Sequence, residues 1–334
     1  MRVLIAGAAG FLGSHLTDRF LKDGHSVVGM DNLSTGRLMN LDHLASERGF
    51  EFMECDITAP LPFTGHLDGV LNLASPASPP AYLRLPLETL MAGSLGTKNL
   101  LQLAKDAGAR FLQASTSEVY GDPEIHPQTE EYWGRVNPIG ARSVYDEAKR
   151  FAEALVSAYR RSFGMNTKIA RIFNTYGPRM DPADGRVVTN FMVQALQGKA
   201  LTLYGEGTQT RSFCYVSDQV DGLYRLFHSE EPGPINLGNP SEYTIRELLE
   251  IVLEITNSHS EVRRLPMPED DPKVRRPDIS KARERLGWNP NVKLRDGLHR
   301  TLPHFRRELE GHGADPFIIH DDEVRRASSL PKTS

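Results

Sequence analysis

The sequence predicts an α/β protein: a Rossmann-type doubly wound parallel sheet joined to a smaller, irregular C-terminal substrate-binding lobe. Three observations carry this. Short apolar runs alternate with longer segments of helical period through the first half of the chain; a glycine loop sits between the first run and the first helical segment; and after Tyr176 the texture turns rich in Gly, Pro and Arg.

Taken in order, VLIAG at 3–7 reads as a buried strand, 11–23 as a helix, VVGM at 27–30 as a strand and FEFMECD at 50–56 as another. GVLNLA at 69–74, a helical 88–107, FLQAST at 111–116, a helical 144–163 and TKIARIFN at 167–174 continue the alternation. Strand, helix, strand in repetition requires a parallel sheet covered on both faces. We therefore expect a dinucleotide-binding domain over 1–176, with later segments free to return to it, and a substrate-binding lobe over 177–310. Within that lobe, YTIRELLEIVLEIT at 243–256 reads as an amphipathic helix whose start is marked by Thr244 and Glu247, the pattern of a capping box. From about residue 311 the chain is polar and charged and is expected to be a flexible tail.

Composition narrows the partners. The chain has 334 residues and is 39% hydrophobic, enough for a large core, and 39 basic against 43 acidic residues leave a net charge of −4. That balance makes no case for nucleic acid or a membrane surface. Cys55 and Cys214 stand in no metal-type spacing, so no metal is expected. With no signal-type leader and no apolar run of membrane-spanning length, the expectation is a soluble cytoplasmic protein with reduced thiols.

Gly7, Gly10 and Gly13 form G-x-x-G-x-x-G between strand and helix. Glycines there let the backbone turn tightly and approach a pyrophosphate, while the helix start supplies N–H donors and positive potential. The second strand ends in Asp31. An acid at that place accepts hydrogen bonds from ribose hydroxyls and repels a 2′-phosphate, which favours NAD over NADP. Arg37 could receive such a phosphate if it turned inward, and Asp56, ending the third strand, suits the adenine amino group unless it only caps a turn.

Tyr145 and Lys149 lie four residues apart on a helical segment, hence on one face. An ammonium beside a phenol, together with the positive nicotinamide, brings the phenol toward neutrality and makes it a usable base, although such pairs also arise by chance. Ser115, Thr116, Ser117 and Glu118 follow an apolar strand, and hydroxyls and an acid at a strand's C-terminal end are expected to face the cofactor cleft.

With these residues in order, the chain resembles the extended short-chain dehydrogenase/reductases, and within them the UDP-glucuronate decarboxylases. The resemblance covers about residues 1–300 and is carried by GFLGSHL, LASPASP, ASTSEVYGDPEIHPQTEEYWGRVNPIGARSVYDEAKR, ARIFNTYGPRM, DGRVVTNF, GTQTRSFCYVSD and RRPDISKARERLGW. Ala8 stands where such loops usually carry another glycine. The resemblance implies a cycle in which Tyr145 takes the sugar 4-hydroxyl proton while C4 is oxidised, the resulting 4-keto uronate loses carbon dioxide, and C5 protonation and re-reduction give UDP-xylose with NAD regenerated. Related 4,6-dehydratases carry Asp-Glu where this chain has Ser117-Glu118, and a serine is a poor donor for expelling hydroxide; 4-epimerases typically lack the acid. A 4,6-dehydratase or 4-epimerase of the same fold is the alternative, and a non-catalytic NAD-binding protein a remote one.

Residue matching implies a catalytic set of Thr116, Ser117, Glu118, Tyr145, Lys149 and Arg275. Cofactor contacts fall on Gly7, Gly10, Phe11, Leu12, Gly13, Asp31, Asn32, Asp56, Ile57, Leu73, Tyr145 and Lys149, and substrate contacts on Pro76, Asn174, Arg179, Arg186, Arg211 and Arg275, with Arg276 leaving the register open by one. Arginine suits diphosphate and carboxylate because its planar fork pairs with two oxygens. The resemblance also implies a homodimer packed through 88–107 and 144–163.

Overall fold

The computed structural model describes residues 1–266 and 274–311. The expected tail therefore lies outside the described residues, except for Gly311. Strands β1 (Arg2–Ala6), β2 (Ser26–Asp31), β3 (Phe50–Glu54), β4 (Gly69–Asn72), β5 (Arg110–Thr116) and β6 (Thr167–Ile172) form a parallel sheet, ordered β3-β2-β1-β4-β5-β6 and closed at the β6 edge by Ile235–Leu237. The sheet thus takes its seventh strand from beyond Tyr176. The order reverses between β1 and β4, and a crevice outside the strand C-termini at such a point is where open α/β sheets bind ligands.

Both faces of the sheet's inner strands are dry, which is why these strands read as unbroken apolar runs. Val3 and Ile5 of β1 pack into one core cluster and Leu4 and Ala6 into another, all fully buried. Leu71 and Leu112 join the first cluster, Val70 and Phe111 the second. Each such Val, Leu or Ile contributes about 1.5–3 kcal/mol by leaving water. Helix α1 (Phe11–Lys22) and the helix Val216–His228 cover one face together, linked by the ion pair of Arg19 and Asp221 at 3.0 Å.

The helix expected over 88–107 begins at Pro86 and runs to Asp106, with a π-turn at Ala92–Gly96. A Cβ on Gly93 would come within 2.7 Å of the Ala148 carbonyl oxygen, so the missing side chain lets the long helix Ser143–Phe163 pack directly onto this turn. The capping box at Thr244 is complete: its hydroxyl accepts from Glu247 N at 3.1 Å, and Glu247 Oε2 accepts from Thr244 N at 2.7 Å. Beyond Tyr176 short strands pair in twos: Thr175–Tyr176 with Cys214–Tyr215, Leu201–Tyr204 with Val262–Leu265, and Thr210–Ser212 with Glu242–Thr244.

Candidate active site

The cofactor end of the cleft is built by the turn from β1 into α1. Gly7 has φ +83, and a Cβ at Gly13 would sit 1.9 Å from the Gly7 carbonyl oxygen, so only glycine lets helix and loop approach this closely. Phe11 and Leu12 open α1, and no side chain caps its start at Gly10. The first-turn N–H groups are therefore left to a ligand, in a field that favours an anion. A cleft of about 320 Å³ is lined by Gly7, Gly10, Asp31, Asn32, Asp56, Ile57, Leu73 and Pro76. Eight of the residues expected from the sequence meet there.

Asp31 ends β2 with its carboxylate facing the loop, accepting from Ala9 N at 3.0 Å and Leu33 N at 2.9 Å. Burial pushes its carboxyl up, and those backbone donors pull against it. Asp56 is held by Asn32 Nδ2 at 3.0 Å and by Thr58 N at 2.8 Å, and its carboxyl is lowered by those bonds despite some burial. Arg37 does not turn inward: its guanidinium pairs with Glu308 in the final helix at 2.5 Å. A glycine cradle that any Cβ would fill, an uncapped helix start and a strand-end acid with no inward arginine fit a dinucleotide without a 2′-phosphate.

At the reacting end, Thr116 closes β5 and Tyr145 rises from the first turn of the long helix. The Tyr145 phenol is 7% exposed and hydrogen-bonds the Thr116 side chain. Its ring stacks on Tyr82, centroids 5.2 Å apart and planes within 8°. Lys149 Nζ lies 5.6 Å from the Tyr145 ring centroid and donates to the Ala114 carbonyl at 3.0 Å. Burial brings this ammonium down to about 8. The expected lowering of the phenol is not achieved by the chain alone: burial, then the negative charge of Glu118, push Tyr145 up, against the hydrogen bond from Thr116 and the charge of Arg186. Lys149 is fixed on a backbone carbonyl and does not offset the loss of water.

Glu118 is clamped. Arg275 grips both its oxygens, Nη2 to Oε2 at 2.9 Å, and Arg142 Nη2 adds a bond of 3.0 Å to the same Oε2. Burial works against ionisation, but Arg275 and then Arg142 overcome it and hold the carboxyl near about 2. Of the two arginines between which the sequence leaves the register open, Arg275 reaches Glu118 whereas Arg276 pairs with Glu242 at 3.4 Å. Arg186 is held by Asp184 through bonds of 2.6 and 2.7 Å, and its charge acts on both Tyr145 and Glu118.

Other expected residues stand apart. Arg179 is turned onto α1, where it pairs with Asp18 at 2.7 Å beside His43, so the structure does not bring it to the acid cluster. Its backbone takes the left-handed conformation, with φ +69. Ser115 also departs: strand alternation sends it away from Thr116, and its hydroxyl donates to Glu153 at 2.6 Å. Arg211 is buried in the strand Thr210–Ser212, where Nη1 donates to the Thr210 carbonyl at 2.8 Å. Asn174 follows β6 and accepts from Cys214 N at 2.8 Å through its backbone oxygen. Ser117 is buried in the turn after β5. Three members of the cluster went unread in the sequence: Arg142, Tyr82 and Asp146. No motif marks them, although Asp146 adjoins Tyr145 in the chain.

The chain is similar to known proteins over nearly its whole length. A family model described as GDP-mannose 4,6 dehydratase matches residues 4–301. UDP-glucuronic acid decarboxylase 1 of Danio rerio is 51% identical over 331 residues, 99% of this chain and 79% of its own. UDP-glucuronic acid decarboxylase 3 of Arabidopsis thaliana is 54% identical over 310 residues, 92% of this chain and 90% of its own. Among solved structures, UDP-glucuronic acid 4-epimerase from Bacillus cereus in complex with UDP-glucuronic acid and NAD superposes with a TM-score of 0.83 at 28% identity, covering 92% of this chain and all of that one (100%).

Proposed function

The chain belongs to the extended short-chain dehydrogenase/reductase family that includes the UDP-glucuronic acid decarboxylases, and from that premise we propose that it converts UDP-glucuronate to UDP-xylose and carbon dioxide on a bound NAD. The observation that carries the choice of reaction is the clamp of Arg275 and Arg142 on Glu118 beside Tyr145. A site with this much positive charge at its acid end suits a sugar whose C6 is a carboxylate. Ser117, in the place next to Glu118, supplies no acid strong enough to expel a hydroxyl.

Gly7, Gly10, Gly13 and the first turn of α1 would hold the pyrophosphate, and Asp31 the adenosine ribose. NAD bound there supplies reversible two-electron oxidation at C4. Thr116 and Tyr145 would meet the 4-hydroxyl from one side, with Tyr145 accepting its proton when C4 becomes a ketone and giving it back at the end. Lys149, one turn on and held by the Ala114 carbonyl, keeps its ammonium beside the phenol. Arg275 and Arg186 orient the carboxylate so that the C5–C6 bond stands across the plane of the ketone. The bond's electrons then flow into the carbonyl as carbon dioxide leaves, and C5 later takes up a proton. The test is incubation with NAD and UDP-glucuronate labelled at C6: labelled carbon dioxide and a UDP-pentose are expected, and no release of label would exclude the reaction. Neither a 4,6-dehydratase nor a 4-epimerase can release it.

We further propose a homodimer and residence in the cytoplasm. Leu90, Leu95 and Phe151 stand 36%, 36% and 51% exposed on the two helices expected to pair, apolar side chains that a second copy would cover. Among the described residues no helix is long and apolar enough to cross a membrane. Cys55 and Cys214 are not bridged to each other.

A further inference from the structure

A cofactor kept from one turnover to the next needs a cleft that resists opening, and part of this cleft has no secondary structure to hold it shut. Asn32, Ser34, Thr35 and Gly36 line it from a stretch that is neither helix nor strand and leaves the first three exposed. A Cβ on Gly36 would come within 2.7 Å of Asp31 Oδ1, so this wall runs directly over the acid assigned to the ribose. Its near end is tied by Asn32 to Asp56 at 3.0 Å, and Leu33 N and Ser34 N donate to Asp31 and Asn32, two residues back. A segment with so few long-range bonds is the part of a cleft that opens most easily.

The far end of the wall is tied at Arg37. Its N–H donates to the Ala9 carbonyl of the glycine loop at 3.0 Å, and the Asn40 side chain donates to the same oxygen at 2.9 Å. Its guanidinium turns away from the cleft and meets Glu308 of the helix Leu294–Gly311 at 2.5 Å, 271 residues along the chain. The two side chains are 19% and 8% exposed, and Arg37 Nη1 is buried with no hydrogen-bond partner. Both charges have therefore left most of their water, and separating them leaves each one uncompensated. The helix that carries Glu308 is itself fixed, with Leu298, Leu302 and Phe305 in the main core cluster and His304 Nε2 on the Met180 carbonyl at 2.9 Å.

We propose that the Arg37–Glu308 ion pair is the latch that retains NAD: Glu308 holds Arg37, and Arg37 holds the wall of Ser34, Thr35 and Gly36 closed over the adenosine end of the cleft. For the dinucleotide to leave, that wall swings outward and Arg37 is drawn off the carboxylate. The cost of parting two largely desolvated charges is then added to the barrier for release. The closed state is the same with or without the latch, so the chemistry at the other end of the cleft does not depend on it. Neither residue touches the cofactor; both are positioning residues. The inference deepens the reading above, in which the cycle runs on one bound NAD, and rests on that NAD lying in the glycine cradle.

The test loads the protein with radiolabelled NAD, adds an excess of unlabelled NAD and follows the loss of label from the wild type, Arg37→Met, Glu308→Gln and the double variant. Each single variant should release NAD about tenfold faster, with kcat at saturating NAD and affinity for UDP both within about twofold of the wild type. The double variant should release it no faster than the faster single one, because either change opens the same latch. Release at the wild-type rate from either single variant overturns the proposal. So does a double variant whose acceleration is the product of the two single ones, which makes the residues independent, and so does an equal loss of UDP affinity, which makes the change a general loosening. If these variants do not fold, Glu308→Asp keeps the charge and shortens its reach, and it should also release NAD faster; release at the wild-type rate there overturns the proposal. A wild type that holds NAD but yields no carbon dioxide from UDP-glucuronate removes the decarboxylase reading and leaves the latch standing. Carbon dioxide from the wild type with NAD release indifferent to both residues removes the latch only.

Discussion

Glu118 shows how much of the site is fixed by the direction of side chains. Its side chain is 16% exposed, and Arg275, 6% exposed, is oriented by it. Removing the carboxylate leaves the buried Arg275 guanidinium facing the partly buried one of Arg142. Glu118→Gln is expected to destabilise the protein by about 3 kcal/mol at neutral pH, measured by denaturant unfolding. The pH dependence has a definite sign. The folded carboxyl is depressed to about 2 from an ordinary 4.5, so the stabilisation is present above about pH 4.5 and is lost as pH falls toward 2. The gap between wild type and variant should close over that interval. Tyr145 and Lys149 are legible in the sequence from their spacing of one helical turn and Glu118 from its place after an apolar strand, whereas Arg275 follows only from the family resemblance. The sequence gives an arginine at position 179 but not the ion pair that joins it to Asp18. Asp146, Tyr82 and Arg142 escaped because their chemistry comes from burial and proximity, and neither has a sequence signature.

The elements of the first half were legible because both faces of the sheet's inner strands are buried, so these strands are continuous apolar runs, as β1 and β4 are, whereas the edge strand β3 alternates apolar and charged residues. Turn chemistry was equally legible where one residue type is required: Gly13 against the Gly7 carbonyl, and Thr244 with Glu247 at a helix start. The π-turn at Ala92–Gly96 was not, since an inserted residue leaves the helical period nearly intact and follows from Gly93 meeting Ala148. The lobe was read only as irregular. Its strands are two to four residues long, too short for any period, and pairs such as Arg211 with Tyr243 join distant parts of the chain. The three-residue strand Ile235–Leu237 is stabilised by β6 and by burial, and it carries no mark of its own beyond being apolar at both ends.

At the scale of the molecule, one sheet edge holds the dinucleotide site and the acid cluster together. The helix Ser143–Phe163 places Tyr145 and Lys149 over that edge while exposing Phe151 on its other side. Catalytic geometry and the proposed subunit contact thus share an element. Replacing Phe151 and Leu95 by Glu should convert the dimer to a monomer in analytical ultracentrifugation; a wild-type protein that sediments as a monomer at micromolar concentration would contradict the assembly proposed. The central claim is that C4 is oxidised and re-reduced on one retained cofactor. It is tested most directly by following deuterium from C4 of UDP-glucuronate. The account predicts UDP-xylose that keeps the deuterium at C4 even with unlabelled NADH in the medium. Its replacement by hydrogen from the medium, or a product with no C4 label at all, would contradict it.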